Sequence, residues 1–276
     1  MADGSPMAIV AGACFLLAAL AHAWNWRAGA WLGAAGAVIL AGALAARGLG
    51  AGRWPLSSEY EFALAFALGT ALAAVVLGLN PAWRVPAVLG GAMVAAALLV
   101  VYARFVMPGF QRAALPLPQV LDSAWALLHV GTSALAYGAL AVGGVAGLVF
   151  LLRAYFSRAA PGAGQGEAGR PEGSAIALLL DRAIAAGFPL LTLAMIFGMI
   201  WAEVAWGRYW AWDLKEVWTL ITWLVYVLYW HVRRRPRWLG RRLAWLAVAG
   251  LGATLVTFLG VGWLARSTGL EGLHLF

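Results

Sequence analysis

The chain has 276 residues, 64% of them hydrophobic and 11% charged, against about 25% charged in an ordinary soluble domain. Most of its side chains could not face water, so its main solvent is lipid. One cysteine, Cys14, excludes an internal disulfide and a CxxC thiol oxidoreductase, and the chain is not itself a c-type cytochrome.

A helix needs ~20 mostly apolar residues to cross the hydrocarbon core. Eight runs meet that demand: 7–23, 30–46, 60–80, 85–106, 124–152, 184–205, 214–232 and 243–265. Lipid offers the backbone no hydrogen bonds, and the alternation of a membrane barrel is absent, so these runs read as helices. The expectation is an all-α integral membrane protein with about eight transmembrane helices, a single polytopic domain over residues 1–276. The first run starts too near the first residue, without a basic flank or cleavage site, to be a removable signal peptide. Between the fifth and sixth runs, "SRAAPGAGQGEAGRPEGSA" is rich in Gly, Ala and Pro, and residues 156–175 read as a flexible cytoplasmic loop. The small residues of "GALAVGGVAG" serve close helix packing rather than phosphate binding.

Basic residues orient the bundle. With both termini outside, twelve of the 19 Lys and Arg fall on inner loops, Arg233, Arg234, Arg235, Arg237, Arg241 and Arg242 among them, and seven outside. The positive-inside rule favours that arrangement. It makes the formal charge of +8 mostly an inner collar against anionic lipid heads rather than a nucleic-acid patch.

The chemistry gathers on the outer side, in "WGRYWAWDLKEVW" at 206–218 and the flank from Trp201. Two readings fit this segment. Trp and Tyr settle at membrane interfaces, and Asp213 with Glu216 three residues on would cap the next helix. Alternatively, the density of rings and the close approach allowed by Gly207 make a stacking platform. The histidines favour the platform. Of four, His129 lies near the outer end of the fifth run and His274 in the outer tail, while His231 closes the seventh run at the inner end. A flat macrocycle would stack on the rings while neutral imidazoles ligate its iron, which describes a haem site. His22, at the inner end of the first run, reads as interfacial, and Glu203 as lying in the outer headgroup zone. Arg208 is the nearest cation for haem propionates, with Arg112 and Arg266 also outside.

"WGRYWAWDLKEVWTLITWLVY" resembles the tryptophan-rich WWD signature of haem-handling proteins in cytochrome c maturation, and "WDLKEVWTLITWLVYVLYWH" is most similar to the CcsA (ResC) type of the system II pathway. "LDSAWALLHV", "GLEGLHLF" and, more weakly, "PLSSEYEF" extend the resemblance from about Ser57 to the C-terminus. The resemblance implies that haem b enters from the cytoplasmic side and reaches an external site at 201–218, where it is presented to an apocytochrome c bearing CxxCH and attached by two thioether bonds. It implies His129 and His274 as external axial ligands of the haem iron, and His231 as a ligand within the membrane. Trp206, Trp210, Trp212 and Trp218 would form the platform, with Gly207, Arg208 and Asp213 in the binding segment. No catalytic side chain is needed, because the cysteines come from the substrate and holding two reactants together is itself catalytic. The implied partners are a CcsB/ResB-type membrane subunit, the apocytochrome, a thioredoxin-like thiol reductant and membrane lipid, in the bacterial inner membrane. A system I CcmC-like haem chaperone has fewer spans and lacks the membrane histidine. A b-type electron-transfer subunit would hold its ligand pairs inside helices, and a small-molecule transporter would need polar or broken helices at mid-membrane.

Overall fold

The computed structural model describes residues 5–113, 119–159, 171–234 and 240–263. These residues form α1 (Ser5–Trp24), α2 (Trp26–Ala51), α3 (Glu59–Gly78), α4 (Pro86–Val101), the short α5 (Gly109–Arg112), α6 (Ala124–Ala159), α7 (Pro171–Trp206), α8 (Leu214–Arg233) and α9 (Arg241–Leu255), with no strands among them. Single π turns extend α4 through Tyr102–Val106 and α9 through Val256–Gly260.

Local chemistry sets the helix starts. Asn25 alone separates α1 from α2, and its side chain accepts from the Arg27 N–H at 3.0 Å, so one residue both turns the chain and caps the new helix. Ser58 caps α3, accepting from the Glu61 N–H at 3.2 Å, and Pro86 opens α4 where its missing N–H costs nothing.

Seven of the described helices are long and apolar enough to cross a membrane. The expected seventh run is α8, which keeps a membrane helix's length at 20 residues. Its composition sets it apart: Trp218, Trp223, Tyr226, Tyr229 and Trp230, with Lys215, Glu216 and Arg233, lower its hydropathy. It packs against α7 and α9, so its polar groups have protein beside them. At 36 residues each, α6 and α7 are roughly 54 Å long, well beyond a ~30 Å hydrocarbon core. They take in 156–159 and 171–175 of the segment read as a loop, because hydropathy marks only the part of a helix that meets lipid. Residues 160–170 lie outside the described set.

α6 is the central helix, touching α3, α4, α7 and α9. It crosses α3 backbone to backbone: a Cβ on Gly138 would stand 2.2 Å from the Gly69 carbonyl carbon, and one on Gly69 2.5 Å from the Ala134 oxygen. Gly144 and Gly147 likewise admit Leu251 and the Ala244 carbonyl of α9. The glycines of "GALAVGGVAG" thus set the helix spacing.

The helices alternate in direction, so the turns at 52–58, 107–123 and 207–213 share one end, here called the tryptophan end. Arg47 Nη2 donates to the Arg112 carbonyl at 2.8 Å, Gln111 Nε2 to Glu59 at 2.6 Å and Trp201 Nε1 to the Val120 carbonyl at 2.8 Å. At the far end, the Arg84 guanidinium lies 3.5 Å from the centre of the Trp26 ring, and Arg233 pairs with Asp181 at 2.6 Å.

Candidate functional site

The site is built around His129, in the second turn of α6. Its Nδ1 lies 2.7 Å from the Ala194 carbonyl of α7. A carbonyl only accepts, so Nδ1 carries the proton and Nε2 the lone pair, the arrangement a metal-ligating imidazole takes when a backbone oxygen fixes its tautomer. Gly198, one turn along α7, permits this approach, since a Cβ there would fall 2.7 Å from Nδ1. The imidazole stacks at 21° on Trp201, with centroids 5.9 Å apart. Trp201 is itself 4% exposed, tied to Val120 through its indole N–H, and packed edge-on against Trp206 at 4.9 Å.

After Trp206 the chain turns at Gly207, whose φ of 69° suits glycine, and Trp212 takes φ 59°, rare for so large a residue. Glu216 secures that conformation. Its Oε2 accepts from the Ala211 N–H at 2.7 Å and the Asp213 N–H at 3.4 Å, while Asp213 Oδ1 accepts from the Glu216 N–H at 2.8 Å. This is the capping box expected from the sequence. It binds the loop on both sides of Trp212 and sets Trp210 against Trp212 at 81°, with centroids 5.8 Å apart.

A charged brace supports the opposite wall. Glu61 is fully buried and accepts from Arg47 at 2.7 Å, from Arg53 at 2.9 Å and from the Ser57 N–H at 2.9 Å. Arg53 also bonds the Ser57 hydroxyl. A buried carboxylate needs such partners, and meeting that need fixes the turn carrying Leu56, Ser57 and Ser58.

Between these walls lies a cleft of about 1210 Å³, including its open mouth. α6 contributes His129, Val130, Ser133 and Tyr137; α7 contributes Leu191, Ala194, Met195, Gly198, Met199 and Trp201. Tyr209 and Trp210 come from the loop, Lys215, Glu216 and Thr219 from α8, Glu59 and Phe62 from α3, and Thr257 and Phe258 from the end of α9. The lining is mainly apolar, with one imidazole.

Of the residues expected at the site, the structure brings His129 and Trp210 to the cleft. Trp206 stands behind Trp201, and Asp213 acts as the N-cap of α8. Trp212 projects outward, 71% exposed. Gly207, Arg208 and Trp218 lie in the same segment without lining the cleft. Arg112 donates to the Arg104 carbonyl at 2.6 Å. His231 is exposed in the last turn of α8, roughly 24 Å along the helix from Lys215 at 1.5 Å per residue. His274 and Arg266 lie outside the described residues. His22, expected at the interface, is only 3% exposed and packs against Gly29 and Gly90, and its Nδ1 has no hydrogen-bond partner among the described residues.

The sequence reading missed Trp201, Tyr209 and Lys215 as cleft residues. Leu191, Met195, Gly198 and Trp201 recur at helical spacing, and that face of α7 was a readable signal. The residues present fit a haem: an imidazole with Nε2 as its lone-pair nitrogen, flat rings around it, and a buried Trp210 indole N–H with no partner among the described residues to serve a polar ligand edge.

Fold and cleft together define a class, a multi-pass helical membrane protein with an aromatic, histidine-bearing cleft at one end of its bundle. The chain belongs to the cytochrome c assembly protein family, whose model matches residues 56–268. It is 36% identical to the cytochrome c biogenesis protein CcsA of Synechococcus elongatus, over 88% of this chain and 86% of that one. To the CcsA of Prochlorococcus marinus it is 34% identical, over 81% and 76%. Its fold is similar to a solved structure of the cytochrome c haem lyase CcmF, with a TM-score of 0.65, 18% identity and coverage of 96% of this chain. The chain spans about half of that larger protein, 49% of its length.

Proposed function

We propose that this protein serves cytochrome c biogenesis by holding haem at the tryptophan end and presenting it for covalent attachment to an apocytochrome c. The observation that carries this reading is the His129 geometry: a tautomer fixed by the Ala194 carbonyl and a ring stacked on Trp201, inside an aromatic cleft. Family membership supports it.

Haem b is the substrate, with His129 as one axial ligand and His274 as the other. It supplies the iron and the two vinyl groups. In attachment each cysteine sulfur of CxxCH bonds to the vinyl carbon next to the ring, and the thiol proton passes to the terminal vinyl carbon. No protein nucleophile is required, so the cleft acts by orientation and by excluding water. The chain is the haem-presenting subunit of a holocytochrome c synthase in the bacterial inner membrane, with its tryptophan end and both termini external. It acts beside a CcsB/ResB-type membrane subunit, which supplies the ligand opposite His231 on the haem's outward route. A thioredoxin-like reductant keeps the substrate thiols reduced.

The test is reconstitution of the full chain with such a subunit, reduced haem and an apocytochrome carrying CxxCH. Haem that stays with the apocytochrome after acidified acetone extraction is expected, falling at least tenfold, or about 1.4 kcal/mol, in His129→Ala. Equal yield with and without this chain would overturn the proposal.

A further inference from the structure

Lys215 is the chain's only lysine. It sits in the first turn of α8 and lines the cleft. Other cations near this end are engaged elsewhere or lie off the cleft: Arg47 and Arg53 hold Glu61, Arg112 donates to the Arg104 carbonyl, and Arg104, whose Nε has no hydrogen-bond partner among the described residues, does not line the cleft. Among the described residues the Lys215 ammonium makes no ion pair within 4.0 Å.

The carboxylates around it serve other groups. Glu216 accepts the Ala211 and Asp213 N–H groups, Asp213 caps α8, and Glu59 accepts from Gln111 Nε2 at 2.6 Å. Glu59 and Glu216 also stand in the first turns of α3 and α8, where the helix dipole favours negative charge. Glu59 and Asp213 act on the Lys215 ammonium electrostatically, but no described carboxylate pairs with it within 4.0 Å, so a ligand anion reaching into the apolar cleft would supply the direct contact that a half-withdrawn charge lacks.

We propose that Lys215 is the carboxylate anchor of the cleft, pairing with one propionate of the bound haem. The inference rests on the haem reading above and replaces Arg208, which does not line the cleft, as the group that recognises the acid edge. The propionates and vinyls of haem b occupy opposite edges of the macrocycle. Anchoring the acid edge at α8 therefore turns the vinyl edge away from α8, leaving it for the incoming cysteines.

The test compares haem with its dimethyl ester, in which both carboxylates are neutral, by visible titration of the purified full-length chain, as wild type, Lys215→Met and Lys215→Arg. The wild type is expected to bind haem about tenfold or more tighter than the ester, the scale of one charge-assisted hydrogen bond. Lys215→Met brings haem down to the ester's affinity and leaves the ester unchanged, while Lys215→Arg restores most of the preference. Equal affinities of the wild type for the two porphyrins overturn the inference, even if Lys215→Met fails to fold. So does a Lys215→Met chain that keeps the preference, or that loses affinity equally for both. If neither porphyrin gives a His129-dependent spectrum in the wild type, the haem reading itself fails.

Discussion

At the scale of single residues, the position of His129 depends on a residue with no side chain. A methyl group on Gly198 would collide with the imidazole at 2.7 Å, forcing His129 off the Ala194 carbonyl and away from its stack on Trp201. Gly198→Ala is therefore expected to weaken the haem spectrum as His129→Ala does, though the imidazole remains; an unaltered spectrum would count against the packed geometry. Trp212 offers a complementary test. Its φ of 59° is costly for a bulky side chain, by about 1–3 kcal/mol. Trp212→Gly should raise the melting temperature in detergent while removing a ring 71% exposed, and a lower melting temperature would mean that the ring stabilises more than the backbone strain costs.

For whole elements, α8 and the α3–α6 crossing carry the most. Glu216 is both the N3 residue of the capping box and the acceptor for the Ala211 N–H. Glu216→Ala should destabilise the start of α8 by about 1 kcal/mol and release Trp210 and Trp212, read as a shift in tryptophan fluorescence and a fall in haem occupancy. Unchanged fluorescence would contradict the role given to that carboxylate. In Gly138→Leu the side chain has no room, because a Cβ already meets the Gly69 backbone at 2.2 Å. Loss of the folded protein from detergent extracts is expected. The cap was legible in the sequence because its signal is local, an acid at the N-cap and another at N3. His129 and Trp210 were legible through the motif around them. Lys215 and Trp201 were not: their place in the cleft arises from five helices and a loop converging. The extensions of α6 and α7 beyond the apolar runs were hidden because hydropathy reports lipid contact, not helix length.

Across the whole molecule, the antiparallel bundle puts the cleft and His231 at opposite ends, so a haem moving between them would traverse the thickness of the membrane domain. In the proposed topology the tryptophan end is outside, as the arginine distribution favours. In a Cys14→Ser background, Trp54→Cys should react with a membrane-impermeant maleimide on intact cells, and Ala82→Cys only after permeabilisation; the reverse pattern would invert the topology. All of this serves the claim that the cleft is a haem site centred on His129. The most direct measurement is the visible spectrum of the purified, dithionite-reduced chain as wild type and as His129→Ala. A six-coordinate low-spin haem in the wild type, lost or converted to a five-coordinate form in the variant, is the predicted result; a wild type with no haem when produced beside the proposed CcsB/ResB-type subunit, or a spectrum indifferent to the substitution, would contradict it.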